Sequence, residues 1–176
     1  MYVPPHHRFD DRAAQLDLID AHPLGTWVCL GADGLTASHR PFVLDRNRGN
    51  HGTLSVRIDP DDAGARAVQA GAPSLVVFHG PQAYISPGWY PGKAEHGRVV
   101  PTWNYVVVHA HGAVRWTADG AGIEIAIQRL EGKLKASQDE ARADREGTVV
   151  GLTASGSEAA RTMAALVQHA LNTSPH

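Results

Sequence analysis

The chain has 176 residues, enough for one domain with a sizeable core, and its 43% hydrophobic and 19% charged composition is that of a folded protein, not a disordered one. Lys and Arg number 16 against 18 Asp and Glu, a net charge of -2 with no basic stripe, which argues against a surface built for nucleic-acid phosphates. The single cysteine, Cys29, excludes an internal disulfide and a cysteine zinc site.

Cys29 lies in an apolar run and reads as a small buried hydrophobe. No run approaches the ~18 apolar residues of a membrane span, and no charged-then-apolar leader opens the chain. The expected location is the cytoplasm, with no membrane partner.

The chain begins MYVPPHHRF, where two prolines forbid a regular helix and Tyr2, Val3 and Phe9 suggest an arm that packs on something. His6 and His7 are adjacent, so their side chains are expected to diverge into solvent. Asp10 or Asp11 caps a helix running to about Ala21, which His22 and Pro23 stop. From Leu24 the texture turns to short β-rich runs. TWVCL and LTASHRPFVL flank Gly31 and Gly34, a hairpin signal, and Pro41 marks an edge position or a strand start. A polar loop over 45–52 precedes the strand TLSVRI.

Residues 61–70 are Ala-rich with a helical look, and SLVVFHG is a buried strand. Residues 80–97 read as a long Pro/Gly/aromatic loop, of the kind that is more often functional than idle. VVPTWNYVVVHAHG, residues 99–112, is then a long strand. Residues 123–134 fit strand alternation (Ile123, Ile125, Ile127) and a helical stripe (Ile123, Ile127, Leu130, Leu134) equally well. Polar residues 135–147 favour a short helix, and a final helix is expected behind a capping box of Ser155 and Glu158. Six or seven strands with flanking helices and no βαβ alternation give a mostly-β or α+β class, an antiparallel barrel or sheet. A helix-turn-helix is not expected, because residues 147–156 look too long and too apolar for its turn.

Two features carry chemistry. His109 and His111 share one face of their strand, as paired ligands would. No Asp or Glu accompanies them at ligand spacing, and two such histidines are more often packing partners, so no metal is expected. No GxSxG elbow, GxGxxG loop or Walker motif is present, and no catalytic residue is identified. Trp89, Tyr90, Trp103 and Tyr105 cluster within 17 residues. With Asn104 and Gln138 they suit a planar, hydrogen-bonding ligand such as a flavin or nucleobase. The alternative is that they cap an open barrel end or bury a dimer seam.

The stretches MYVPPHHRF, LTASHRPFVL, VVFHGPQAYISPGWYPGK, VVPTWNYVVVHAHG, EGKLKASQ and DREGTVVGL resemble the PaiB-type FMN-binding negative transcriptional regulators, over about residues 1–152. The resemblance implies one split antiparallel β-barrel domain over 1–176, with flanking helices and a helical end at about 153–171. The fold is related to pyridoxamine-phosphate oxidases and flavin reductases and forms a homodimer with FMN near the interface. It also favours a strand over 123–127.

By position, Ser38 and His39 fall in its SHxPF motif, Thr102, Trp103 and Asn104 in PTWNY, and Lys135, Ser137 and Gln138 in a KxSQN-like motif. Ser38, Arg57 and Lys135 are then assigned to the FMN phosphate, and Trp89, Trp103, Asn104 and Gln138 to the isoalloxazine. Three departures stand out. Asp139 replaces an amide in KASQD, TLSVRIDP keeps Arg57 and Pro60 but loses a histidine, and residues 117–122 replace a helical segment. A flavin-dependent oxidoreductase is the alternative function. So is a flavin-free or haem-binding module using His39, His79 or His109.

Overall fold

Helix α1 (Arg12–Ala21) starts where the Asp11 carboxylate accepts hydrogen bonds from the backbone N–H groups of Ala13 (2.9 Å) and Ala14 (3.2 Å), two donors that a helix N-terminus leaves open. It ends at His22, ahead of Pro23, as the sequence predicts. The structure is a computed structural model and describes residues 1–31, 34–97 and 99–173.

Strands β1 (Leu24–Gly31) and β2 (Gly34–Pro41) pair antiparallel with Gly31 opposite Gly34, the register of a two-residue hairpin. Its central residues, Ala32 and Asp33, lie outside the described residues. β3 (Val43–Asp45) and β4 (Thr53–Arg57) follow, then a four-residue helix α2 (Ala63–Arg66), shorter than the expected 61–70. Gly64 within the helix and Gly71 beyond it, in the left-handed region at φ 87°, both weaken helix formation after the Asp62 cap.

Three long strands come next: β5 (Pro73–Ile85), β6 (Thr102–Trp116) and β7 (Gly122–Lys135). The expected loop over 80–97 is corrected by β5, which continues through Ile85. Pro81 hides the alternation that buries Ala83 and Ile85. Only a 3-10 turn (Pro87–Trp89) and a short helix α3 (Gly92–His96) remain of that loop. Ile123, Ile125 and Ile127 are all buried along β7, so the strand reading holds over the helical stripe. Residues 117–122 close tightly between β6 and β7. Thr117 N donates to Gly122 O (2.9 Å), and Asp119 accepts from Thr117 Oγ1 (2.6 Å) and Ala121 N (3.0 Å). The seven strands form one antiparallel sheet in the order β2-β1-β5-β6-β7-β4-β3, with Pro41 on an edge strand where its missing N–H costs no ladder bond.

Two compact units share the chain. The first comprises Met1, residues 9–79 and 107–132. Its core holds Ile19, Trp27, Leu54, Val76, Phe78, Val108 and Ile125, all buried. Trp27 keeps its one polar atom satisfied by donating from Nε1 to Ser74 Oγ (3.0 Å).

The second unit comprises residues 2–8, 80–106 and from 133 onward. Here α4 (Arg142–Ser155) packs on α5 (Glu158–Thr173), burying Leu152, Met163, Val167 and Leu171. α4 covers residues expected to be a loop, and 136–141 are loop where a helix is expected. The α5 cap is Ser157, whose Oγ accepts from Ala160 N (3.2 Å), and Ser155 instead ends α4. The helices are therefore joined by Gly156 and Ser157 alone, which removes the spacing argument against a helix-turn-helix. Arg142 pairs with Glu146 at 2.9 Å, and Arg161 is the one exposed Lys or Arg of α5. No helix among the described residues is long and apolar enough to cross a membrane.

Candidate functional site

In the second unit, the end of β7 and the start of β6 bring four predicted residues together. Lys135 Nζ donates to Thr102 Oγ1 at 2.7 Å. Asn104 is fully buried, and its Nδ2 donates to Ser137 Oγ at 2.9 Å. Asn104 Oδ1 is buried and makes no hydrogen bond, an expensive arrangement for a free acceptor. Ser137 reaches this position with φ of 59°, a left-handed conformation uncommon for a residue with a Cβ.

Gln138 explains how the turn is held. Its Oε1 accepts from Ala136 N (2.7 Å) and its Nε2 donates to Leu134 O (2.8 Å), so the amide staples the loop and both of its polar atoms are engaged there. Trp89 likewise has a structural neighbour, for its indole lies against Gly151 of α4 and its carbonyl against Gly147, where a Cβ at either position would collide. Gly92 N, close by, donates to the buried Asp144 Oδ1 at 2.9 Å. Trp103 alternates to the other side of β6 from Asn104. It is 54% exposed and meets Tyr84 edge-on with ring centroids 6.0 Å apart.

His7 belongs to this unit as well and was missed by sequence reasoning. The expected solvated pair is corrected by a 3-10 turn, Pro5–His7, that leaves His6 exposed and buries His7 to 2%. Neither His7 ring nitrogen makes a hydrogen bond, and Nε2 lies 3.9 Å from Asp139 Oδ1. Burial, reinforced by His6, pulls the imidazole pKa down to about 4, so it is uncharged at neutral pH. Asp139, the departure from the KxSQN pattern, faces this histidine. The only sequence signal was the expectation that the N-terminal arm packs.

In the first unit, His39 and Arg57 line one cavity of about 800 Å³, together with Ser55, Asp119 and Glu124. Ser38 lines a separate hollow of about 80 Å³ beside Trp27, Cys29 and Arg40. Its hydroxyl accepts from Arg40 Nε at 3.0 Å, and the same guanidinium pairs with Asp62. Ser38 thus lines a different cavity from Arg57, and from His39, its neighbour on β2, whose side chain alternates to the other face. His109 and His111, also in this unit, lie within reach of Glu131 on β7.

The model of the family described as "Putative FMN-binding domain" matches residues 1–169. An uncharacterized protein of Saccharomyces cerevisiae is 34% identical over 138 residues, covering 68% of this chain and 80% of its own. Protease synthase and sporulation protein PAI 2 of Bacillus subtilis is 29% identical over 112 residues, covering 64% of this chain and 51% of its own. Among solved structures, the FAD and heme binding protein from Mycobacterium smegmatis matches with a TM-score of 0.54 at 17% identity, over 84% of this chain and 78% of that one. At that identity the likeness is one of fold. The fold class is the split antiparallel barrel with flanking helices.

Proposed function

This chain belongs to the FMN-binding domain family, and we propose that it is a cytoplasmic, homodimeric flavoprotein of the negative-regulator type. The domain is a flavin-binding split barrel and its cofactor is FMN. Asn104 is the observation that carries the site assignment. A fully buried amide with one unbonded atom calls for a ligand bearing complementary polar groups, and the flavin ring edge carries both N–H donors and carbonyl acceptors. Lys135 would supply the phosphate's counter-charge, with Thr102 holding its ammonium in place. Trp103 projects from the opposite side of β6, 54% exposed, so its ring is left out of this pocket.

Bound FMN supplies electron-transfer chemistry. Thr102, Asn104 and Ser137 do not change charge near neutral pH, so their work is to bind and orient. That favours a protein that holds flavin as a signal over one that moves protons on a substrate. The regulatory role rests on kinship with the Bacillus protein, whose name ties it to protease synthesis and sporulation. The paired charges on α4 and the sparse ones on α5 support an effect exerted without direct reading of DNA.

The test is direct. Purified protein should carry the yellow absorption of oxidised flavin, and added FMN should raise the melting temperature of any apo fraction. Colourless protein with no thermal shift would sink the reading, and a Soret band would replace it with haem. Multiple-turnover oxidation of NADH or NADPH would establish the oxidoreductase instead. A salt-dependent gel shift at low micromolar protein would overturn the indirect mode of regulation.

A further inference from the structure

We propose that His109, His111 and Glu131 form a binding site for a first-row divalent transition-metal ion. Sequence spacing offers only the two histidines, and the carboxylate comes from the neighbouring strand. Along β6, alternation puts His109 and His111 on one side, with ring centroids 6.2 Å apart. Glu131, near the end of β7, points Oε2 at His111 Nε2 at 2.9 Å. One donor atom from each of the three residues lies within 4.8 Å of the others. A tetrahedral ion with bonds of about 2.0–2.2 Å needs its donors roughly 3.3 Å apart, which small χ rotations supply.

The surroundings suit a ligand set better than a lone ion pair. Arg129 Nη1 takes the other carboxylate oxygen, Oε1, at 2.5 Å and so turns Oε2 toward the histidines, the orienting role outer groups play at metal sites. His111 and Glu131 are about three-quarters buried, close enough to the surface for an ion to enter. Three protein donors leave at least one coordination position open. The other facing charges are the Met1 ammonium, 3.3 Å from Oε2, which a metal ion would displace, and the exposed imidazole of His79. Two imidazoles and one carboxylate select zinc, cobalt, nickel, copper or ferrous iron over magnesium and calcium, which prefer all-oxygen shells.

Cobalt(II) is the probe, because its visible d–d bands report histidine coordination, with zinc(II) as competitor. Titration of the untagged full chain should give one saturable equivalent that zinc displaces. His111→Ala and Glu131→Gln should each weaken it by about tenfold or more, as loss of a ligand does, while their FMN affinity stays at the wild-type value. His6→Ala, which reports on the separate His6, His7 and Asp139 group, should leave it unchanged. The Glu131→Gln variant keeps the side chain's shape and one of its two acceptor oxygens, so it carries the test if His111→Ala unfolds. Absence of saturable binding at micromolar metal overturns the proposal. So does binding indifferent to both substitutions, or binding that disappears in His6→Ala.

Discussion

Replacing Gly147 by alanine pits two effects of opposite sign against each other. In an exposed helix interior the change would stabilise by about 1 kcal/mol, since alanine is the better helix former. In α4 the new Cβ would fall well inside the 3.0 Å that real Cβ contacts respect, against the carbonyl oxygen of Trp89, and would lie 3.1 Å from Pro91 Cδ. A carbonyl cannot rotate aside as a side chain can. The helix and the Pro87–Trp89 turn must separate by roughly 1 Å, and overpacking of this kind costs about 3 kcal/mol at the upper end of its usual range. The net loss of about 2 kcal/mol corresponds to a melting temperature lower by about 4–8 °C for a chain of this size. Thermal unfolding followed by circular dichroism reads it. At Gly151 the obstacle is the Trp89 ring itself, which can swing away. Gly151→Ala should therefore lose less stability but shift tryptophan emission. A Gly147→Ala protein that melts higher than wild type would refute the contact and leave helix propensity as the governing term.

Asn104→Ala should weaken FMN about tenfold, the worth of one buried hydrogen bond, while His109→Ala should not; flavin-fluorescence titration separates them, and the reverse ranking would discredit the assignment. Lys135→Met should weaken FMN by one to two orders of magnitude, roughly the value of a charge-assisted bond, yet leave riboflavin affinity unchanged. An unaltered FMN-to-riboflavin ratio would place the phosphate elsewhere. His7 gives a pH dependence whose sign is fixed. With a pKa of about 4 when folded against 6.5 ordinarily, the unfolded chain binds more protons between those values, so stability rises with pH across that window. Its full contribution, present above 6.5 and lost as pH falls through 4, is of order 3 kcal/mol. His7→Phe should flatten the curve of melting temperature against pH there, and an undiminished slope would mean that another group is responsible.

The sequence announced elements wherever a local rule operates: the Asp11 cap, the Gly31 and Gly34 hairpin, and the Ile123, Ile125 and Ile127 alternation once resemblance broke the tie. It misread places where a local cue opposed the tertiary packing. Pro81 looked like a loop but sits within β5, and residues 147–156 looked like a connection but mostly belong to α4, whose glycines are where Trp89 approaches. Of the site, the Thr102, Asn104, Lys135 and Ser137 group was legible through motifs, though the fastening of Gln138 to its own loop was not. Contacts between residues far apart in the chain were invisible. Glu131 beside His111, and Asp139 beside a buried His7, depend on strand pairing and burial that no spacing rule encodes.

The left-handed backbone at Ser137 is strain that its hydroxyl offsets. Glycine there would relieve conformational strain of order 1 kcal/mol but leave the buried Asn104 Nδ2 without its acceptor, a loss of about 1–3 kcal/mol, so a screen for heat resistance should retain serine. The same change removes the hydroxyl that accepts from Asn104, freeing the amide to turn in its pocket. Endurance and a firm grip on the pigment should therefore select the same residue at this position, and an easier turn of the chain should come with a paler, less stable protein.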